Sequence, residues 1–289
     1  MTKQDVLNRL SEDTKLRGLS KHTQGDYYAK TKRFQDFYDK PATKLGVDEV
    51  RDYLLYLSEE KKLSSGSVNT YNSALRFLYN ISLDMPINIT KIPRHKRSRK
   101  IPEILTRSEI QEIFDVCENL RDKCMLMTTY SAGLRVSEIV KLRVKDIDSE
   151  KMQIFIRQGK GHKDRFAILS QANLSILRKY WLRYRPKDYL FHSRNHSVRT
   201  TRSFQDMFHK YLTKAKIAKE VSLYSLRHSF AMHLLEDGTS IFHIKQLLGH
   251  SDLSTTCFYL RLVKISEMNA SSPLDRFYGN NKSPNGSNQ

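Results

Sequence analysis

Cysteine is scarce in this sequence, with three residues in 289, Cys117, Cys124 and Cys257. An odd number set in helical, partly apolar surroundings argues against a disulfide framework and for a reduced, cytoplasmic setting. No apolar run approaches the length that spans a bilayer, and the opening MTKQDVLNRL lacks the apolar centre of a signal peptide, so a soluble protein is expected. His192, His196 and His209 show no metal-ligand spacing, so no metal is expected; no cofactor is expected either. The pair Gly159-Lys160 lacks the spacing and the following helix of a phosphate-binding loop. Acid is the scarce charge: 31 Asp plus Glu stand against 50 Lys plus Arg, a formal net charge of +19. That imbalance argues for a polyanionic partner, nucleic acid first.

What is present suffices for two domains of ordinary size. Residues 1–90 predict four helices. The first runs from Val6 to Arg17; the second surrounds Tyr27, Tyr28, Phe34 and Phe37 and ends at Asp39-Lys40-Pro41. Val47-Asp48 opens the third, through Val50, Tyr53, Leu54 and Leu57. The fourth holds Val68, Tyr71, Leu75, Phe77 and Leu78, after a turn marked by Gly66 and its neighbouring serines. Most of these aromatics belong to a core, while Lys21, His22, Thr23, Tyr27 and Lys30 are placed to line a DNA-facing surface. Next comes KIPRHKRSRK, which holds Lys91, Arg94, Lys96, Arg97, Arg99 and Lys100 and no acid. Pro93 and Pro102 bracket it and disfavour a helix. Each basic contact with a phosphate gains counterion-release free energy, so these residues are expected to bind DNA from an interdomain linker at 91–104.

Beyond the linker, Thr106 is expected to cap a helix reaching Leu120, and an apolar helix from Cys124 to Ser131 ends in Ala132-Gly133. Arg135 opens a further helix with Glu138 one turn on. Met152, Ile154 and Ile156 alternate with Gln153, Phe155 and Arg157; after QGKGHKDR a second apolar run covers Phe166 to Leu169. Alternation around a glycine-containing turn predicts a β-hairpin, with Lys160, Lys163 and Arg165 in or beside the turn. Helices are expected from Asn173 to Tyr184 and from Ser203 to Ala218, with Trp181 in the core. The fold class is mainly α with a small β-sheet. A helical domain at 1–90 precedes the linker, an α+β domain spans 105–275, and a tail rich in Gly, Asn, Ser and Pro at 276–289 is expected to be disordered.

The run from Tyr224 to Tyr259 organises the rest. Leu226, Phe230 and Leu234 lie one turn apart on a buried stripe, so Arg227 leaves the helix beside its core face. The segment Ile241 to Leu248 stops at Gly249, the residue best suited to a left-handed helix end. His250 follows at once, and Ser251 or Asp252 caps a last helix that presents Thr255, Thr256 and Tyr259. An arginine, a histidine and a tyrosine hydroxyl aimed at one cleft suit chemistry on a phosphodiester.

Arg227, then LLGHSDLSTT, then Tyr259 nine residues after His250, together with AGLRVSEIVKL at Ala132 to Leu142, resembles the tyrosine recombinase family of lambda-type integrases and Xer recombinases. The resemblance implies an N-terminal helical core-binding (SAM-like) domain, an α+β catalytic domain and a site-specific recombinase. Such an enzyme cleaves and rejoins double-stranded DNA through a 3′-phosphotyrosyl link, without metal or ATP. It makes Tyr259 the nucleophile and gives the phosphate to Arg135, Arg227 and His250. Lys160 becomes the general acid for the leaving 5′ oxygen, Glu138 an orienting residue, and Lys163 and Arg165 DNA contacts or substitutes for Lys160. It further implies a homotetramer on two DNA sites, a monomer or dimer off DNA, and a nucleoid-associated place in the cytoplasm, and it leaves the need for accessory proteins open. A C-terminal segment would pack into the neighbouring protomer. Position 224, usually histidine in the family, departs from the pattern. A phenol donates to phosphate but does not accept a proton at neutral pH as imidazole does, so Tyr224 is a catalytic candidate of uncertain role. His228 is expected to point elsewhere on the helix. Two other readings remain open, a type IB topoisomerase-like nicking-closing enzyme and an inactive DNA-binding regulator.

Overall fold

Small polar side chains begin the helices of the computed structural model, which describes residues 1–85, 92–96, 103–157, 164–192, 199–250 and 252–261. The chain divides into two compact units, Met1–Lys100 and Ile101–Gln289. In the first, Thr2 and Asp5 form a reciprocal cap at the start of α1 (Lys3–Leu16). Ser20 and Ser64 cap α2 (Lys21–Tyr38) and α4 (Ser65–Phe77) by accepting the Thr23 and Ser67 amides. Between them, α3 (Val47–Glu59) starts at Gly46, whose amide donates to the Glu49 carboxylate at 2.6 Å. A single π turn, Leu78–Ser82, extends α4. Phe34 is fully buried, with Tyr53 and Tyr79 set edge-on to its ring at 5.3 and 6.4 Å; burial of such a ring contributes on the order of 2–3 kcal/mol. The Tyr79 hydroxyl meets the carbonyls of Ala42 and Leu45, which pins the loop between α2 and α3.

Residues 92–96 of the expected linker lie against this unit. Ile92 is buried in its core, its carbonyl accepts from Arg76, and the Asn69 side-chain amide both donates to the His95 carbonyl (2.9 Å) and accepts its amide (3.0 Å). The two-way amide pair imitates a β-ladder, which lets an extended segment settle on a helix.

In the second unit, Thr106 and Glu109 cap α5 (Arg107–Asp115). That helix stops short of the expected Leu120 because Asn119 accepts the amides of Arg121 and Asp122 and so begins α6 at Leu120, four residues before the expected start (Leu120–Ser131). A short α7 (Val136–Ile139) precedes a three-stranded antiparallel sheet in the order β1 (Ile147–Asp148), β2 (Gln153–Ile156), β3 (Arg165–Ile168). The expected hairpin is β2 and β3, with Ile154 opposite Ala167, both buried; β1 is too short to announce itself by alternation. Then follow α8 (Gln171–Tyr184), α9 (Thr201–Lys214), α10 (Leu223–Glu236), α11 (Ile241–Leu248), α12 (Leu253–Cys257) and a 3-10 turn, Phe258–Arg261. The mainly helical fold with one small sheet matches the expected class. Trp181 does not match: it is 40% exposed, because the buried stripe of α8 runs through Leu174, Leu177 and Tyr180, and the Arg185 guanidinium covers its ring at 4.2 Å. Among the described residues no helix is long and apolar enough to cross a membrane.

Candidate active site

The end of α11 gathers the cations. A helix C-terminus leaves carbonyls without partners and carries partial negative charge, and three successive carbonyls here each receive an arginine. Arg165 Nε donates to Leu247 O at 2.9 Å, Arg227 Nη2 to Leu248 O at 2.6 Å and Arg135 Nη2 to Gly249 O at 3.4 Å. The three come from distant parts of the chain: Arg135 from the start of α7, Arg165 from β3, and Arg227 from α10. Gly249 closes the helix at φ +63°, and a Cβ there would lie 2.7 Å from Arg165 Cδ, so glycine serves both the turn and the close approach.

Glu138 neutralises part of this charge. Its Oε1 accepts from Nη1 of Arg135 and of Arg165, both at 2.7 Å. Its Oε2 accepts the Arg135 backbone amide and Arg165 Nη2, both at 2.8 Å, and lies 3.8 Å from Arg227 Nη1. Burial alone would raise the Glu138 carboxyl, but the Arg165 hydrogen bonds and the charges of Arg165 and Arg135 reverse this and hold it at about 2. The Arg165 side chain, expected to contact DNA, is 8% exposed and rests against Glu138, because the carboxylate and the helix end together satisfy its fork.

Arg227 is fully buried and bridges two helix ends, donating from Nη1 to Gly133 O and from Nη2 to Leu248 O, both at 2.6 Å. Its Nε has no partner among the described residues. Burial, followed by the charge of Arg135, lowers its pKa to about 10, which still leaves the guanidinium charged at neutral pH. Gly133 sets the other end of this bridge at φ +58°, where a Cβ would run into the Phe230 and Leu248 side chains.

His250 follows Gly249, and its Nδ1 lies 2.9 Å from the buried Thr256 hydroxyl on α12. Burial first, then the charges of Arg227, Arg135 and Arg165, lower its pKa to about 4, so the ring is neutral at neutral pH. Asp252 rather than Ser251 caps α12, accepting the Ser254 amide. Tyr259, in the 3-10 turn, is buried beside Phe230 and Leu248. Burial, and then the neighbouring Tyr224, push its phenol above the usual range, and Arg227 and Arg135 pull it back only in part.

The Tyr259 hydroxyl contacts His228, not His250. Nδ1 of His228 lies 2.8 Å from Tyr259 Oη, and the Tyr224 ring meets the His228 ring edge-on at 4.5 Å. The expectation that His228 points elsewhere fails because residues four apart share a helix face: Tyr224 and His228 stand together while Arg227 turns into the core. Tyr224 itself is 42% exposed.

Arg135, Arg165 and His250 line a groove of about 1010 Å³ together with Lys245, Gln246 and Phe166. In the first unit, His22, Thr23, Tyr27, Asn69 and Arg94 line a separate cleft of about 540 Å³. Lys30 is tied to Asp26 and lies over the Tyr71 ring. Arg94 and Lys96 are exposed on the strap held by Asn69. Lys160 and Lys163, and Lys91, Arg97, Arg99 and Lys100, lie outside the described residues, as does the C-terminal tail.

The model of the phage integrase family matches residues 103–264, and that of the phage integrase N-terminal SAM-like domain matches residues 6–89. The chain belongs to the phage integrase family. It is thus a tyrosine recombinase, an enzyme class that breaks and rejoins DNA strands. The tyrosine recombinase XerA of Pyrococcus horikoshii is 36% identical over 266 residues, covering 89% of each chain. A tyrosine recombinase of Pseudothermotoga lettingae is 35% identical over 275 residues, 90% of this chain and 94% of that one. The fold also matches the lambda integrase tetramer bound to a Holliday junction, with a TM-score of 0.73 at 18% identity over 89% of this chain and 77% of that one.

Within this phage integrase fold, sequence reasoning placed Arg135, Glu138, Arg227, His250 and Tyr259, and all five lie around the end of α11. It missed His228 as a partner of Tyr259; the four-residue spacing from Tyr224 was the signal that could have found it. It also missed Thr256 as the partner of His250.

Proposed function

We propose that this recombinase uses Tyr259 as its nucleophile on double-stranded DNA at specific recombination sites. The observation that carries the reading is the meeting of Arg135, Arg227, His250 and Tyr259 at one helix end. Arg135 and Arg227 bind the nonbridging oxygens of the scissile phosphate. Each guanidinium has five N–H donors, and those not committed to carbonyls or to Glu138 are available for planar, charge-assisted bonds to phosphate. In the tautomer with its hydrogen on Nε2, His250 accepts from the Thr256 hydroxyl through Nδ1 and donates to the same oxygens. Glu138 orients Arg135. Tyr224, exposed beside the site, adds a hydroxyl donor. Lys160 protonates the departing 5′ oxygen.

The product is a 3′-phosphotyrosyl link that keeps the energy of the broken bond. A 5′ hydroxyl from a partner strand can therefore reseal it without ATP. Lys91, Arg94, Lys96, Arg97, Arg99 and Lys100 bind the DNA backbone between an N-terminal domain at 1–90 and a catalytic domain at 105–275, as does Lys163; Arg165 supports the site from within instead. By analogy with the lambda integrase tetramer on a Holliday junction, the working form is a homotetramer on two DNA sites, with the nucleoid as its place.

The test is covalent capture. A library of nicked duplexes with randomised arms is incubated with the full chain, and DNA that survives detergent attached to protein is sequenced. The reading predicts enrichment of a defined site with wild type and none with Tyr259→Phe. Equal attachment by both proteins, or none by either, overturns it.

A further inference from the structure

Only one side chain is hydrogen-bonded to the hydroxyl of Tyr259 among the described residues, and it is His228, at 2.8 Å through Nδ1. The other groups nearby are engaged or unsuited. His250 commits its Nδ1 to Thr256. The Tyr224 phenol accepts no proton at neutral pH, and it packs edge-on against the His228 ring. Burial first, and then the adjacent Arg227 charge, lower His228 to about 4, so the imidazole is neutral at neutral pH; in the tautomer with its hydrogen on Nε2, Nδ1 accepts from the Tyr259 hydroxyl. An incoming phosphodiester brings negative charge beside Arg227 and offsets the second of those effects.

We propose that His228 is the proton acceptor for the nucleophile. The inference rests on Tyr259 as the attacking group. As Oη bonds to phosphorus, its proton passes to Nδ1 of His228. The bond from phosphorus to O5′ breaks, and O5′ takes its proton from the general acid. In resealing, the 5′ hydroxyl attacks, and the imidazolium returns the proton to the departing phenol. General-base assistance of this kind is worth about 100-fold or more.

The experiment uses the full chain and the duplex recovered by covalent capture. His228→Asn places an amide oxygen where Nδ1 stood, so it still accepts a hydrogen bond but cannot carry away the proton; His228→Gln runs beside it in case asparagine disturbs the packing. First-strand cleavage is expected to slow by about 100-fold or more while DNA affinity stays near wild type. Two substitutions of the reacting groups separate proton acceptance from mere positioning. A fluorinated tyrosine at position 259, whose phenol loses its proton more readily, should restore much of the His228→Asn rate. A 5′-bridging phosphorothiolate, whose leaving sulfur needs no proton, should not. Cleavage by both variants at the wild-type rate or faster overturns the proposal, as does rescue by the phosphorothiolate and not by fluorotyrosine. If the wild type itself forms no adduct, the fault lies with Tyr259 as nucleophile rather than with His228.

Discussion

Glu138→Ala removes a buried carboxylate that accepts four hydrogen bonds, two from Arg165 and two from Arg135. Among the described residues, Arg165 and Arg135 then keep only the carbonyls at the end of α11, and Arg227 loses the carboxylate 3.8 Å away. Breaking a buried pair by deleting one partner typically costs about 3–5 kcal/mol, because the surviving charge stays desolvated. The cost here should fall in that range. Trp181, the sole tryptophan, lies in the second unit, so its fluorescence during urea unfolding reports that unit alone. Pairing Glu138→Ala with Arg165→Leu removes the orphaned cation as well, and the double variant should lose less than the sum of the singles, with a coupling of about 1–3 kcal/mol. A loss below about 1 kcal/mol for Glu138→Ala, or strict additivity, would refute the view that the carboxylate holds the arginine cluster together.

Three further outcomes follow from the same contacts. Gly133→Ala would place a methyl 2.4 Å from Phe230 Cδ1 at a φ of +58°, under the carbonyl that accepts from Arg227; a destabilisation of about 2 kcal/mol or more is expected by the Trp181 measurement. Asn69→Ala frees the strap at residues 92–96, and the His95 amide should exchange with deuterium about tenfold faster, the equivalent of one ordinary hydrogen bond. Acid should weaken the fold in two windows. His228, His233 and His250 sit at about 4 in the fold against 6.5 unfolded, so the unfolded chain binds more protons and stability falls from about pH 6.5 down to about 4. Glu138, at about 2 against 4.5, adds a further loss from about pH 4.5 towards 2. A urea midpoint that stays flat between pH 7 and 5 would contradict the first of these.

Much of the site was legible because its residues obey local rules. Gly249 had to end a helix and the stripe of Leu226 and Phe230 had to face inward, which sets His250 at a helix end and Arg227 beside a core face; the packing of α10 on α11 then joins them through Leu248 O. What the sequence did not reveal depends on longer range. Arg165 looks like one more basic residue beside a hairpin turn; its burial follows only once β3 is packed against the end of α11. The stripe of α8 passes one position short of Trp181, which a preference for tryptophan in cores concealed. Ile92 hides in a basic run, and its anchor, Asn69, sits 23 positions earlier on a helix whose own pattern needs no partner. Tyr224 and His228 lie one turn apart on α10, but that spacing does not by itself show that Tyr259, 31 residues on, packs against this face.

The central claim is that Tyr259 forms the covalent link, and the most direct test is to find the link on the peptide. Trypsin releases Gln246 to Arg261 with Tyr259 inside it, and Glu220 to Arg227 with Tyr224 inside it. After covalent capture and nuclease digestion, mass spectrometry should find the residual nucleotide on the first peptide, with fragmentation placing it at Tyr259. A nucleotide on the second peptide, or on neither, would contradict the account.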